Sequence, residues 1–189
     1  DHALHMNTAT LEMTPSKAQF DGYKLVIMST NYKRKTTESK YNERVNECKE
    51  ALDKIKSIYP VDYLCDLKVE QLDHIQTILS NDLLYRRVKH TITEQKRTID
   101  AMITMKNGDA IAFGKLLDQS HASLKNDYEV TGFNLDTIVE AAKKHGAVGA
   151  RVTGAGFGGC AIALVKDEDV KEFINQVKKD YIEKTNITP

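Results

Sequence analysis

The sequence has no tryptophan, only three prolines and three cysteines, and no surplus of either charge, with 27 Lys and Arg against 27 Asp and Glu. Without a basic excess there is no long-range attraction toward nucleic acid or an anionic membrane, so neither is expected as a partner. Cys48, Cys65 and Cys160 are odd in number, far apart and never in a C-x-x-C pair, which argues against a disulfide framework or a zinc ribbon. They read as reduced thiols of a cytoplasmic protein. The longest apolar run, Cys160 to Val165, is too short to span a bilayer, and no stretch has the layout of a signal peptide. Six histidines occur without an H-E-x-x-H spacing, so no metal site is expected. No repeat or low-complexity linker divides the chain, and a single domain over residues 1–189 is expected.

What is present is 41% apolar residues in a chain of 189, enough to bury a substantial core. Leu11-Glu12-Met13 alternates briefly before Pro15, and Asp21-Gly22 is turn chemistry. Lys24 to Thr30 (KLVIMST) is nearly continuous in apolar and β-branched residues, which predicts a strand covered on both faces. After a basic connector, Tyr41, Val45, Cys48, Leu52 and Ile55 recur at helical spacing, with Thr37 as the candidate cap and Glu38 in the first turn. Irregular short turns are expected over 60–82. A long helix follows from Leu83 to Lys106, with Leu84, Val88, Ile92, Ile99 and Met102 on one stripe and Asn107-Gly108 as its stop. Asp109 can cap a further helix that turns Ile111, Phe113, Leu116 and Leu117 inward, and Asn134 another that ends before Gly146. Asp167 opens the last helix, whose stripe is Val170, Phe173, Ile174, Val177 and Tyr181. The pattern predicts an α+β fold, an antiparallel sheet with helices packed on one face.

The most informative segment is the glycine-rich turn Gly154-Ala155-Gly156-Phe157-Gly158-Gly159 between extended stretches Gly149–Thr153 and Cys160–Val165. Taken literally, Gly154-x-Gly156-x-x-Gly159 satisfies a dinucleotide fingerprint, but that fingerprint needs a helix directly behind it to meet the pyrophosphate. Here a strand follows. No Gly-Lys-Ser/Thr follows either, so it is not a Walker loop. A plain hairpin would not need four glycines in six residues. Such a density implies that something approaches the backbone closely, either a phosphate or another main-chain segment.

The stretch from Gly149 to Cys160, flanks and following strand included, resembles the third conserved motif of the GHMP kinases, the family named for galactokinase, homoserine kinase, mevalonate kinase and phosphomevalonate kinase. The resemblance implies that Gly154, Gly156, Gly158 and Gly159 lie beside the phosphate tail of a bound ATP. Ser39 to Cys48 (SKYNERVNEC) resembles the galactokinase branch, where Tyr-x-x-Arg-Arg-x-x-Cys is usual; Val45 stands where a second arginine is common. Arg87 to Arg97 and Ser120 to Val130 agree with the same branch. By that resemblance Tyr41 donates its hydroxyl to the sugar, galactose. A tyrosine in a first helical turn can bury its ring and extend its hydroxyl into a cleft; its spacing to Val45 fits equally well with the head of an apolar stripe.

Among Lys33, Arg34 and Lys35, Arg34 is the candidate phosphate contact, although a solvated basic loop accounts for all three. Arg151, on a strand, can instead pair with a carboxylate in the core. His121, Ser123 and Asp127 lack the strand–nucleophile–helix elbow of a hydrolase and read as polar capping at a helix end.

The resemblance also implies a fold: a GHMP kinase C-terminal domain with a ferredoxin-like core, truncated at both ends, in which residues 1–35 supply strands from the inter-domain region. An N-terminal domain would then carry the phosphate loop, the Mg2+ ligands and a catalytic aspartate upstream of Asp1, leaving no catalytic residue in this chain. ATP and Mg2+ would be bound mainly there, and the chain alone would be inactive. A last strand expected after Pro189 is also absent, so an exposed edge or apolar face prone to self-association is expected. Two other functions remain open: a GHMP kinase acting on homoserine or mevalonate, and a non-enzymatic, galactokinase-like sugar-sensing regulator.

Overall fold

The computed structural model describes residues 2–32 and 37–189. Strands His2–Met6 (β1) and Met13–Lys17 (β2) form a hairpin, and Tyr23–Ser29 (β3) follows. Then come helices Thr37–Ile55 (α1), Leu72–Leu79 (α2), Asp82–Asn107 (α3), Ala110–Asn126 (α4) and Phe133–Lys144 (α5). Strands Gly149–Thr153 (β4) and Cys160–Lys166 (β5) and helix Val170–Thr185 (α6) complete the order. Short 3-10 turns at Leu64–Asp66, Val69–Gln71 and Asp167–Asp169 fill the irregular stretches.

Strand β5 is central in a sheet of order β3-β5-β4, antiparallel to both neighbours. The register sets Ile27 and Arg151 opposite Ile162, so one face carries Leu25, Ile27, Ile162, Leu164 and Arg151. The other carries Val26, Met28, Ala150, Ala161, Ala163 and Val165. Three alanines make that second face shallow, and α5 and α6 settle on it with Ile138, Ala142, Phe173, Val177 and Tyr181. The sequence pattern implies helices on one face only; this face is helix-backed, but α4 packs over part of the other as well. Fully buried Tyr181 donates its hydroxyl to the Thr30 carbonyl at 2.8 Å, tying α6 to the end of β3. On the first face, Phe113 and Leu117 of α4 and Phe20 cover Leu164. Beyond them the face opens into a cleft of about 590 Å³ lined by Leu4, Leu25, Glu94 and Arg151 among others. Helix α4 crosses the sheet at Gly149, where a Cβ would overlap the Gly114 backbone, so only glycine allows this crossing. A second core joins α1, α2 and α3 through Ile55, Ile75, Leu84 and Val88.

The helix ends follow the expected chemistry where short polar residues lead. Asn81 accepts from the Leu84 N–H at 3.2 Å, Asp109 accepts from the Ala112 N–H at 2.9 Å, and Gly108 ends α3. Other expectations change. Helix α5 begins at Phe133 behind Gly132, so Asn134 lies inside it and donates its side-chain amide to the Tyr181 hydroxyl instead of capping. Leu11 and Glu12 lie in the hairpin turn; β2 starts at Met13 and contains Pro15, tolerated because each strand of a two-stranded hairpin has an outer edge. Strand β3 is not covered on both faces. It is an edge strand with Leu25 46% and Ile27 74% exposed, and the strand flanked on both sides is β5. In α1, Ala51 and Ile55 are buried, but Tyr41 and Val45 are exposed and Arg44 turns inward in their place. Ile99, Ile111 and Ile174 are likewise exposed, because each helix stripe is wider than the surface available to cover it. Thr37, Glu38 and their side chains, and residues 33–36, lie outside what the structure describes at side-chain level.

Candidate functional site

The glycine-rich segment forms the β4–β5 hairpin turn. Gly154 and Ala155 are exposed at its tip, whereas Gly156 and Gly158 are buried. Beneath it runs the α4–α5 connection, Tyr128-Glu129-Val130. The Phe157 N–H donates to the Val130 carbonyl at 2.6 Å. Gly156 turns at φ +79°, and a Cβ there would overlap that same carbonyl. At the far end, the Gly159 carbonyl accepts from the Thr30 N–H at 2.9 Å and the Thr30 hydroxyl at 2.8 Å. Of the two reasons for dense glycine, close approach by main chain therefore operates at Gly156. Gly154 has open space around it, which leaves the tip accessible to a ligand.

The first turns of α1 meet the same loop. Lys40 Nζ lies 5.8 Å from the centroid of the Phe157 ring, a cation–π approach. Tyr41, one residue on, is 53% exposed and close enough to Tyr128 to act on its hydroxyl. Tyr41 thus does not head an apolar stripe. The structure brings Tyr41 and the glycine turn to one side of the molecule. Arg34, with Lys33 and Lys35, lies outside the described residues.

The α4–α5 connection is itself held by arginines. Arg86 donates to the Asn126 carbonyl at 2.9 Å, Arg87 to the Asp127 carbonyl at 2.6 Å, and Arg44 to the Tyr128 carbonyl at 2.7 Å. Glu47 accepts from Arg44 at 2.7 Å and from Arg87 at 2.6 Å, and Glu129 accepts from Arg87 at 2.7 Å and from Arg86 at 2.8 Å. Hydrogen bonds from Arg86 and then Arg87 hold the Glu129 carboxyl down to about 2. Sequence reasoning missed this cluster. Its only local signal was the Arg44/Glu47 spacing on one helix; the pairing to Arg86, Arg87 and Glu129 is long-range.

Other polar groups pack around it. The His90 ring stacks on Tyr128 with centroids 4.3 Å apart, and its Nδ1 lies 3.0 Å from the Ser123 hydroxyl. Ser123 donates to Asp127 Oδ2 at 3.0 Å, and burial pushes His90 down to about 4. A hydrolase triad places histidine between serine and carboxylate. Here serine is in the middle, and His121 faces Asp136 at 3.5 Å, so there is no triad; nor do these side chains cap the helix end, since they bond one another and neighbouring side chains. Arg151 pairs with a carboxylate, as expected of a strand residue: its Nη1 lies 3.1 Å from Glu94 Oε1, which also accepts from the Ser120 hydroxyl at 2.6 Å. Burial pushes the Glu94 carboxyl up, but the Ser120 hydrogen bond, Arg151 and Arg97 outweigh it and hold it below the usual range. Among the described residues no cluster of three or more His, Cys, Asp or Glu side chains is placed to hold a metal ion. Nor is any helix among them long and apolar enough to cross a membrane.

Comparison with known proteins gives consistent results. Residues 99–183 match the family described as GHMP kinases C terminal. The chain is 42% identical to a galactokinase of Clostridium acetobutylicum, over 100% of its own length and 49% of that protein's. It is 45% identical to a galactokinase of Staphylococcus carnosus with the same coverage, 100% and 49%. The crystal structure of Lactococcus lactis galactokinase complexed with galactose superposes with a TM-score of 0.94 at 41% identity, covering 99% of this chain and 48% of that one. An L. major mevalonate kinase crystallised with R-mevalonate matches with a TM-score of 0.56 at 18% identity, covering 94% of this chain and 44% of that one, a likeness of fold alone. The chain spans about half the length of the curated relatives it matches.

Proposed function

We propose that this chain, whose residues 99–183 match the GHMP kinase C-terminal family, is the C-terminal half of a galactokinase acting in the cytoplasm. The whole protein transfers the γ-phosphate of ATP to the C1 hydroxyl of galactose, giving galactose 1-phosphate and ADP. This half contributes one wall of the cleft. Gly154, Gly156, Gly158 and Gly159 flank the phosphate tail, and the Tyr41 hydroxyl donates to the sugar. Arg34 is a further phosphate contact. The observation that carries the reading is the meeting of α1 with the glycine turn through Lys40 and Phe157, beside an exposed Tyr41. A sugar-binding tyrosine and a phosphate-flanking loop must lie on one side of the domain for a phosphoryl group to pass between their ligands.

The remaining chemistry is assigned to an N-terminal half: the phosphate loop, the catalytic aspartate and the ligands of Mg2+. That half docks on the apolar surface formed by Leu4, Met6, Leu25 and Ile27, each more than two-fifths exposed. Residues 1–189 form the C-terminal domain, the β1–β2 hairpin lying toward the inter-domain region. The test is to supply the full-length protein with ATP, Mg2+ and, in turn, galactose, homoserine and mevalonate. Phosphorylation of galactose alone is expected, with no turnover by residues 1–189 in isolation. Sugar and nucleotide binding without turnover would replace the kinase by a sugar-sensing regulator.

A further inference from the structure

We propose that Glu129 is a positioning residue for the glycine-rich turn: clamped by arginines, it sets the carbonyl from which that turn hangs. The inference rests on the kinase reading above, since it concerns the loop assigned to the nucleotide. Three successive carbonyls, those of Asn126, Asp127 and Tyr128, each end on a different arginine, Arg86, Arg87 and Arg44. Glu129 comes next. It adopts φ +55°, a left-handed conformation that non-glycine residues keep only where their surroundings dictate it. Its two carboxylate oxygens are taken separately, Oε1 by Arg86 at 2.8 Å and Oε2 by Arg87 at 2.7 Å. Arg87 is fully buried and is held from its other side by Glu47 at 2.6 Å, so α1 and α3 both anchor the arrangement. Charge-assisted bonds to planar guanidinium groups fix direction as well as distance.

One residue further on, Val130 closes the segment. Its N–H donates to the Leu124 carbonyl at 3.0 Å, and its carbonyl receives the Phe157 N–H. Only Val130, bonded at both its N–H and its carbonyl, lies between the clamp and the turn. A change at Glu129 therefore moves the Val130 carbonyl, and with it Gly156 and Phe157, before it disturbs the sheet. Tyr41 is carried by α1, which stays joined to α3 through Glu47 and Arg87 when Glu129 changes, so loss of the clamp acts on the nucleotide more than on the sugar.

The experiment uses the full-length protein with Glu129→Gln, and Glu129→Asp as a milder variant in case the first folds poorly. Hydrogen exchange at the Phe157 amide and KM for each substrate are the readouts. Glu129→Gln should speed Phe157 exchange ~10-fold and raise KM for ATP by a similar factor, leaving KM for galactose within ~2-fold. Glu129→Asp should shift both in the same direction by less. Val177→Ala, in the core between α5, α6 and the sheet, serves as a control matched for loss of Tm. An equal rise in KM for ATP in that control would reduce Glu129 to a stabilising role and overturn the proposal. Unchanged Phe157 exchange in Glu129→Gln would do the same. Faster exchange in a protein whose wild type phosphorylates no galactose would support the positioning role while removing the kinase reading.

Discussion

The carbonyl oxygen of Val130 stands 2.6 Å from the amide nitrogen of Phe157, joining the α4–α5 connection to the β4–β5 turn. The bond can form only because Gly156, beside it, has no side chain. Gly156→Ala would place a Cβ against the Val130 carbonyl and a non-glycine residue at φ +79°. A loss of ~2–4 kcal/mol is expected, visible as a lowered denaturation midpoint with an unchanged slope. Gly154→Ala meets no neighbouring atom within 4 Å, so only its φ of +77° penalises it, and it should lose clearly less.

Tyr41 is half-exposed on the first turns of α1, so its ring contributes little to the core. Tyr41→Phe in the full-length protein is therefore expected to leave Tm within ~1–2 °C while raising KM for galactose roughly 5–20-fold, the effect of one lost hydrogen bond to a sugar hydroxyl. Steady-state kinetics with galactose as the varied substrate checks this. A large fall in Tm with no change in KM would return Tyr41 to a packing role.

His90 supplies a pH dependence whose sign follows from its burial. Its folded-state value of about 4 lies below the ordinary 6.5, so the unfolded chain binds the proton more readily. The contribution of neutral His90 to stability is complete above the unfolded value and is lost as pH falls from 6.5 toward 4. The loss across that window is on the order of 2–3 kcal/mol. Urea midpoints at several pH values should fall more steeply in the wild type than in His90→Gln, which lacks the titrating group. Parallel curves for the two proteins would refute this assignment.

Leu25 and Ile27, at 46% and 74% exposure, share one sheet face with a cleft that the chain leaves open. In isolation, residues 1–189 should self-associate at high concentration through this face. Ile27→Lys is expected to reduce association in light scattering without lowering Tm, because the side chain makes little contact in the monomer. A wild-type chain that stays monomeric throughout would contradict the docking surface proposed for the N-terminal half.

Local chemistry made much of the fold legible. Gly108 and Asp109 mark helix ends because their partners lie within four residues, and the β4–β5 turn is marked by glycines flanked by β-branched strands. The same reasoning failed where the deciding partner is distant. KLVIMST has the composition of a strand covered on both faces, yet it lies at the sheet edge, and strand order is a property of three segments together. Arg44 turns inward against the apolar stripe of α1 because Glu47 and the Tyr128 carbonyl satisfy its guanidinium, and Tyr128 is 84 residues away.

At the candidate site the division is the same. The sequence by itself determined the candidate residue types: a glycine turn followed by a strand, which excludes a dinucleotide fold, and a tyrosine in the first turns of a helix. Only the tertiary structure decided that these lie together, that Gly156 serves main-chain contact with Val130, and that Arg151 belongs to Glu94. Turns and caps are set by torsion preferences and hydrogen bonds over a few residues. Buried charge is set by whichever carboxylates and carbonyls the folded chain brings within reach, and no short window of sequence contains them.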